Sequence, residues 1–166
     1  MILHGKAYKF GDDVNTDYII AGKYRSKGLD MKLLSTHLME DLYPNFTDTI
    51  KSGDFIVAGK NFGCGSSREY APKVIVEAGI GAVFAKSYAR IFYRNAINSG
   101  LLVIECNTDL LDNGDTLEVD TAAGIMHDKT QDCVIPYNPI PEFISEIINA
   151  GGVISYLNEN GDFKIK

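Results

Sequence analysis

Cysteine, positive charge and long apolar runs are all scarce in this chain of 166 residues. The three cysteines, Cys64, Cys106 and Cys133, are an odd number at wide spacing. This pattern argues against a secreted disulfide framework and against a self-contained Cys-x-x-Cys metal or cluster site. We therefore expect that a metal needed by this protein is held by something other than this chain.

No apolar run approaches the roughly 18 residues that span a bilayer. The best candidate, between Val74 and Ala85, is interrupted by Glu77 and followed by Lys86. The first 13 residues contain no apolar stretch of the kind found in a secretory signal peptide. These absences predict a cytoplasmic protein that has no membrane partner.

Lysine and arginine are outnumbered, with 16 against 22 aspartates and glutamates, which gives a formal net charge of −6. A chain with this balance lacks the excess of positive charge that binds the phosphate backbone of nucleic acid, so nucleic acid is not an expected partner. Its length and its 45% apolar content predict one domain over residues 1–166. No internal repeat or low-complexity stretch divides the chain.

Short apolar segments alternate with helix-like segments in the middle of the chain. Phe55–Ala58, Gly81–Ala85 and Leu101–Cys106 are typical of buried strands. Two segments between them, Tyr70–Ala78 and Ser87–Asn98, end at glycines and predict helices. Strands and helices that alternate in this way indicate an α/β fold with a parallel or mixed sheet.

The C-terminal third is less regular. Asp115–Asp120 and Gln131–Tyr137 alternate like strands, and Pro141–Ala150 predicts a final amphipathic helix. We therefore expect a three-layer core with a flank rich in strands.

The glycine-rich segment Gly59–Glu69 lies between a predicted strand and a predicted helix. Free backbone N–H groups and a helix N-terminus at such a place favour an anion site. Gly63 and Gly65 allow a ligand or another backbone to come close, and the guanidinium of Arg68 can hold a carboxylate through two hydrogen bonds. This segment is the main candidate site.

Structural interpretations of the same residues remain open at this point. Ser66 and Glu69 have the spacing of a helix capping box, and Arg68 can be a solvated surface charge. The segment does not match a dinucleotide fingerprint or a phosphate-binding P-loop. A cysteine hydrolase with Cys64 as nucleophile and His127 as base is a weaker alternative.

Three ordered motifs resemble the swivelling C-terminal domain of the aconitase family. These are Gly63-Cys64-Gly65-Ser66-Ser67-Arg68-Glu69, the later Lys86-Ser87-Tyr88-Ala89-Arg90-Ile91 with Asn95, and the earlier Asp13-Val14-Asn15-Thr16-Asp17-Tyr18-Ile19-Ile20. The chain length and the motif positions resemble the family's free-standing small subunits. The resemblance implies a β/β/α three-layer swivel domain.

The resemblance also implies a hydro-lyase that is active only together with a large subunit carrying a [4Fe-4S] cluster. The favoured reaction is the interconversion of 2-isopropylmalate and 3-isopropylmalate. Homocitrate or homoaconitate, citramalate and 2,3-dimethylmalate are alternative substrates, and a non-catalytic anion-binding regulatory domain is a lower alternative. A heterodimer or heterotetramer is expected, and the isolated chain can form a homo-oligomer through its open face.

By position in the matched motifs, Ser66 is the expected catalytic base. Ser67 and Arg68 are expected to hold a substrate carboxylate. Thr16 and Asp17, with the two glycines 63 and 65, are expected to organise the loop. The resemblance assigns Lys86, Ser87 and Arg90 to the scaffold.

Substrate choice in this family resides largely in the segment that follows the Thr-Asp pair, here 21–30. Arg25 is the expected second carboxylate contact, and Tyr24 or Leu29 is expected to form an apolar wall for a branched alkyl group. Lys27 is expected to bind substrate as well, and a substrate with a third carboxylate would need such an additional cation. The order of residues in this segment departs from the usual family pattern, which leaves the choice among the substrates open.

Overall fold

The structure is a computed structural model that describes residues 1–28 and 30–163. Within these residues seven strands form one mixed sheet. The strands are β1 (Ile2–Lys9), β2 (Phe55–Val57), β3 (Ala82–Ala85), β4 (Val103–Glu105), β5 (Thr116–Asp120), β6 (Ile125–Asp128) and β7 (Cys133–Pro136). Their order across the sheet is β4-β3-β2-β1-β5-β6-β7.

The helices of the described residues are α1 (Thr16–Ile19), α2 (Met31–Ser35), α3 (Phe46–Thr49), α4 (Tyr70–Glu77), α5 (Arg90–Asn98), α6 (Glu142–Asn149) and α7 (Val153–Asn160). Two 3₁₀ turns are also present: Gly22–Lys27 lies between α1 and α2, and Thr108–Leu110 lies between β4 and β5. Helix α4 crosses from β2 to β3, and α5 crosses from β3 to β4.

Half of the sheet is parallel and half is antiparallel. Strands β1 to β4 run parallel, with Ile56 opposite both Tyr8 and Val83. On the other side of β1, strands β5, β6 and β7 form an antiparallel meander. The central strands β2 and β3 are buried along their whole length, as expected where both faces of a sheet are covered.

Side chains of the central strands alternate between two cores, because successive residues of a strand point to opposite faces. Ile56 and Val83 belong to the core that contains the buried residues of α4 and α5. Phe55 and Phe84 belong to the second core, which is shared with β5, β6 and β7. The sheet therefore curls so that its antiparallel half covers the face that the helices leave open, and the predicted β/β/α layering is confirmed.

Several local expectations are confirmed and others are wrong. The strands and helices predicted between Phe55 and Cys106 are present, with shorter ends. Helix α4, however, begins at Tyr70 with Glu69 as an N-cap that makes no side-chain bond, so the predicted capping box is wrong. The second predicted helix, which was expected to begin at Ser87, begins at Arg90, and the Oγ of Ser87 accepts the N–H of Asn61 at 2.8 Å.

Strands β1 and β6 and helices α1, α2, α3 and α7 were not predicted from the sequence, and the helix predicted at 141–150 is therefore not the last one. Strand β1 is partly exposed over most of its length, and its polar residues give no continuous apolar signal. It is nevertheless the junction between the two halves of the sheet, since it pairs with β2 on one side and β5 on the other.

Phe84 is the residue whose truncation best tests the second core. Its ring is fully buried and meets the ring of Phe55 edge to face, with 5.3 Å between centroids. We expect Phe84→Ala to lower the free energy of unfolding by about 3–5 kcal/mol, because it leaves a cavity between two layers. Urea unfolding measures the loss. Val134→Ala, at a side chain that is 53% exposed, should change stability little, and equal losses in the two variants would contradict the layering.

Candidate active site

The candidate site lies where the chain leaves the carboxyl ends of β1, β2 and β3. The glycine-rich loop 59–69 continues the parallel pairing beyond the strands on both of its sides. The N–H of Gly63 donates to the carbonyl oxygen of Val14 at 2.8 Å, and the N–H of Phe62 donates to that of Ser87 at 3.0 Å. Three loops that are distant in sequence are thus held at one edge of the sheet.

Gly63 cannot be replaced by a larger residue without displacing its neighbours. It adopts φ +78°, and an added Cβ would lie 2.1 Å from Cγ of Phe92. Gly65 also has a positive φ, +87°. These values favour glycine at both positions, and the ring of Phe92 packs directly on the loop.

Ser66 and Ser67 stand exposed after these glycines. The buried hydroxyl of Thr16 donates to the carbonyl oxygen of Ser66 at 2.7 Å, which fixes the backbone of the loop. Within the described part of the chain, the hydroxyls and the backbone N–H groups of Ser66 and Ser67 have no partner. They are therefore available to a ligand.

Arg68 is tied to α1. Its Nη1 donates to the carbonyl oxygen of Ile20 at 2.5 Å and more weakly to that of Thr16 at 3.4 Å. Its Nη2 forms an ion pair with Asp17. The Arg68 side chain is only 14% exposed, whereas that of Asp17 is 56% exposed. Arg68 thus joins the Thr-Asp segment to the glycine-rich loop and still borders the site.

A cavity of about 330 Å³ opens beside this loop. It is lined by Thr16, Gly63, Gly65, Ser66, Ser67, Arg68, Ala89, Arg90, Ile91, Phe92 and Asn95. The structure therefore brings Thr16 of the Thr-Asp motif together with Gly63, Gly65, Ser66, Ser67 and Arg68 of the glycine-rich motif. The cavity lining also includes Arg90 and Asn95 of the Lys86 motif, for which no role in the site was predicted from the sequence.

Lys86 and Ser87, by contrast, do not line the cavity. Lys86 forms an ion pair with Asp109 at 2.5 Å, and Ser87 binds the backbone of the glycine-rich loop from the side. Both contacts are structural, as the sequence analysis expected for these two residues.

Tyr24 is buried in the helix-side core and does not line the cavity. Its ring stacks on His37 with 3.8 Å between centroids, and its hydroxyl donates to Glu40. Glu40 also contacts His37 Nδ1 at 2.8 Å and Lys23 Nζ at 3.1 Å. These contacts anchor the 3₁₀ turn that follows α1.

The remaining predicted residues of this segment fall outside the described part of the structure. This applies to the side chains of Arg25 and Lys27 and to the whole of Leu29. Their contacts with substrate therefore stay predictions. The turn itself starts beside the site, because an added Cβ on Gly22 would lie 3.0 Å from Arg68 Nη2.

The donor groups of the described residues do not fit an iron–sulfur cluster or a metal ion. No group of three or more His, Cys, Asp or Glu side chains converges anywhere in the described residues. Burial raises the pKa of Cys106 to about 12. It also raises the pKa of Cys64 and Cys133, and nearby carboxylates add to both shifts.

A thiol that holds its proton is a poor ligand and a poor nucleophile. The raised pKa of Cys64 therefore argues against the cysteine hydrolase. His127, the base which that mechanism needs, lies in β6, two strands across the sheet from β1.

None of the helices that the structure describes is long and apolar enough to cross a membrane.

Comparisons with known proteins agree with the motifs. Residues 15–109 match the family described as the aconitase C-terminal domain. The chain is 51% identical over 165 residues to 3-isopropylmalate dehydratase small subunit 2 of Archaeoglobus fulgidus, covering 99% of this chain and 100% of that protein. It is 44% identical over 163 residues to small subunit 1 of the Thermotoga maritima dehydratase, covering 98% of each.

A crystal structure of 3-isopropylmalate dehydratase from Methanocaldococcus jannaschii is similar to this structure, with a TM-score of 0.91 and 46% sequence identity. The match covers 97% of this chain and 96% of that one.

Glu40 and its three partners, Tyr24, His37 and Lys23, form a cluster. This Glu40 cluster predicts that the free energy of unfolding depends on pH. Burial acts to raise the pKa of Glu40, but the hydrogen bonds from Tyr24, His37 and Lys23 outweigh it and hold the pKa below 4.5. A carboxylate with a lowered pKa stabilises the fold above its unfolded pKa, and this stabilisation is lost as the pH falls through the folded pKa.

We therefore expect Glu40→Gln to cost about 1–2 kcal/mol at neutral pH, and the difference from wild type to shrink below about pH 4.5. Urea unfolding between pH 7 and pH 4 measures the difference. The exposed neighbour Asp41, changed to Asn, is the control. A cost that does not depend on pH would contradict this account of the cluster.

Proposed function

Because this chain belongs to the family of aconitase C-terminal domains, we propose that it is the small subunit of a hydro-lyase that interconverts 2-isopropylmalate and 3-isopropylmalate. This is the isomerisation step of leucine biosynthesis. The observation that carries the proposal is the cavity that Ser66, Ser67 and Arg68 line, which has no Asp or Glu among its described lining residues. The chain also matches the named small subunits over nearly its whole length. The cytoplasmic location expected from the sequence is part of the proposal.

A small subunit needs a large partner, and one face of this chain suits such a partner. A groove of about 520 Å³ runs beside α4, α5 and α7. Val76 and Ile154 line this groove and are large apolar residues that remain exposed, Ile154 by 73%, and Asn95 lines both the groove and the cavity. Apolar surface of this kind marks protein–protein contacts. The face adjoins the cavity, so a subunit that docks here closes the site. A heterodimer or heterotetramer is the expected assembly, and the isolated chain can pair with itself through the same face.

The iron–sulfur cluster implied by the family is placed in the large subunit. The potential ligands of this chain support this placement. The described residues offer no converging ligands, and burial raises the pKa of all three thiols. The contribution of this chain is then to position the substrate and to move a proton.

Ser66 is proposed as the base that removes the proton from the carbon next to a carboxylate. A serine hydroxyl is too weak an acid to ionise unaided at neutral pH, so its alkoxide must be stabilised by nearby donors. The unpartnered N–H groups of Ser66 and Ser67 and the cation of Arg68 are the candidates. Helix α4 begins only at Tyr70, so the loop itself contributes more to this stabilisation than the helix N-terminus.

Thr16 and Asp17 are proposed to hold these donors in place. The Thr16 hydroxyl bonds the carbonyl oxygen of Ser66, and the Asp17 carboxylate bonds Arg68. Preorganised donors stabilise developing charge without reorganisation cost. Arg68 and Ser67 then hold a substrate carboxylate from the side that faces the cavity.

The related hydroxy acids differ in the number of carboxylates. Homocitrate brings a third carboxylate, which requires a further cation such as Lys27, whereas 2-isopropylmalate brings an isopropyl group that requires an apolar wall. The names of the full-length relatives favour isopropylmalate, and the contacts of the 21–30 segment with substrate stay part of the proposal.

Anaerobic reconstitution tests the function directly. This chain is mixed with a cluster-loaded large subunit, and the absorbance of the unsaturated acid formed from 2-isopropylmalate, citramalate, 2,3-dimethylmalate or homocitrate is followed. We expect turnover only in the mixture and fastest with 2-isopropylmalate. An intact complex that turns over none of these acids would contradict the proposal and favour a binding or regulatory subunit.

Ser66→Ala tests the base in the same assay. We expect kcat to fall by about 10²–10⁴-fold, because general base catalysis contributes an effect of this size, while the complex with the large subunit still forms. Ser145→Ala, on helix α6, which contributes no residue to the cavity lining, is the matched control and should leave the rate unchanged. A Ser66→Ala enzyme with normal kcat would remove the serine from catalysis.

Arg68→Lys tests the carboxylate grip. Lysine keeps the charge but loses the planar fork, so we expect kcat/KM to fall by about 10–100-fold. Because Arg68 also ties α1 to the loop, Asp17→Asn provides the comparison, since it removes the ion pair of this tie but keeps the guanidinium and its hydrogen bond to Ile20. Equal losses in the two variants would show that Arg68 acts only through the scaffold.

A further inference from the structure

The cavity beside the glycine-rich loop carries two arginines and no acid among its described lining residues. This is unusual for a chain with a formal net charge of −6. An unbalanced pair of guanidinium groups beside two free hydroxyls suits an anionic ligand. The two arginines, however, differ in what they already bind.

Arg68 has committed much of its donor capacity to the protein. Its Nη1 binds the carbonyl oxygens of Ile20 and Thr16, and its Nη2 binds the carboxylate of Asp17. Part of its charge is therefore neutralised, and a substrate carboxylate at this residue competes with Asp17.

Arg90 is the uncommitted cation. It is exposed, and no carboxylate or carbonyl oxygen of the described residues binds its guanidinium. Its five N–H donors remain available to a ligand in the cavity. Lys86, a cation that follows β3 directly, is by contrast paired with Asp109.

The backbone of Arg90 is held firmly against the glycine-rich loop. The N–H of the preceding residue, Ala89, donates to the carbonyl oxygen of Phe62 at 2.9 Å. Two residues later, Phe92 packs on Gly63 so closely that an added Cβ would overlap it, and its ring meets that of Phe62 at 5.2 Å. The backbone of Arg90 therefore has a defined place relative to Ser66, and its side chain reaches the lining of the same cavity.

We propose that Arg90 is a substrate-binding residue that holds a carboxylate of the hydroxy acid, in addition to the grip of Arg68. The inference rests on the proposed function, because a dicarboxylate is the ligand that uses both arginines. It revises the expectation that Arg90 belongs to the scaffold, and it places one carboxylate contact at the start of α5 in addition to the contact expected from Arg25.

The test compares Arg90→Gln and Arg90→Lys with wild type in the reconstituted enzyme with 2-isopropylmalate. We expect Arg90→Gln to raise KM at least about tenfold with a smaller change in kcat, because an interaction present in both the bound and the transition state is lost. Arg90→Lys should lie between wild type and Arg90→Gln, since it keeps the charge and loses the fork.

Arg94→Gln is the matched control, because Arg94 is an exposed arginine of the same helix that does not line the cavity. It should leave KM unchanged. If Arg90→Gln has the KM of wild type, or raises it no more than Arg94→Gln, the inference is overturned.

Titration with the large subunit separates docking from substrate binding. A raised KM that persists at saturating large subunit supports the contact with substrate, and one that disappears there overturns it in favour of an interface residue. Failure of the proposed function is distinct from both results, since the wild-type mixture would then turn over none of the acids.

Discussion

The site depends on backbone hydrogen bonds that continue the parallel sheet beyond the ends of its strands. Gly63 pairs with Val14 on one side, and Phe62 pairs with Ser87 and Ala89 on the other. Because backbone groups carry this pairing, side chains on the three loops are free to face the cavity. A buried N–H that is already satisfied in this way needs no ligand, whereas the N–H groups of Ser66 and Ser67 have no partner among the described residues and are available for binding.

The close packing of Phe92 on Gly63 has two consequences. It requires glycine in the loop, since no side chain fits between the backbone and the ring. It also sets the distance between the loop and the first turn of α5, and so brings Arg90 to the same cavity as Ser66 and Arg68. A steric contact between a glycine and an aromatic ring thereby determines how the cations of the site are arranged.

The segment after α1 is anchored at two points, Gly22 and Tyr24. Gly22 donates to Asp17, which is held by Arg68, and Tyr24 is held by His37 and Glu40. Placement of the 3₁₀ turn therefore depends both on the glycine-rich loop and on the chain beyond α2. A cluster around one carboxylate, remote from the cavity, supports the segment in which the family resemblance places substrate choice.

The amino-acid sequence by itself determined the class of the fold and the motifs of the site. The apolar segments at β2 and β3 give a strong local signal because these strands are buried on both faces, and the periodic segments between the strands predict α4 and α5. The segment from Gly63 to Arg68 stands out for a different reason: glycines and hydroxyl residues between a strand and a helix are typical of an anion-binding loop. Strand β1 has no continuous apolar pattern that would predict it. Nothing in the local sequence indicates that the hydroxyl of Ser87 accepts the N–H of Asn61.

Only the tertiary structure decided which motif residues meet and what each of them binds. Spacing alone cannot show that Arg68 is paired with Asp17 and the carbonyl oxygen of Ile20, that Tyr24 is buried against His37, or that Arg90 is without a partner among the described residues. These facts depend on contacts between segments far apart in the chain. The physical reason is that the parallel strands bring their carboxyl ends to one edge of the sheet, where three loops pack against one another.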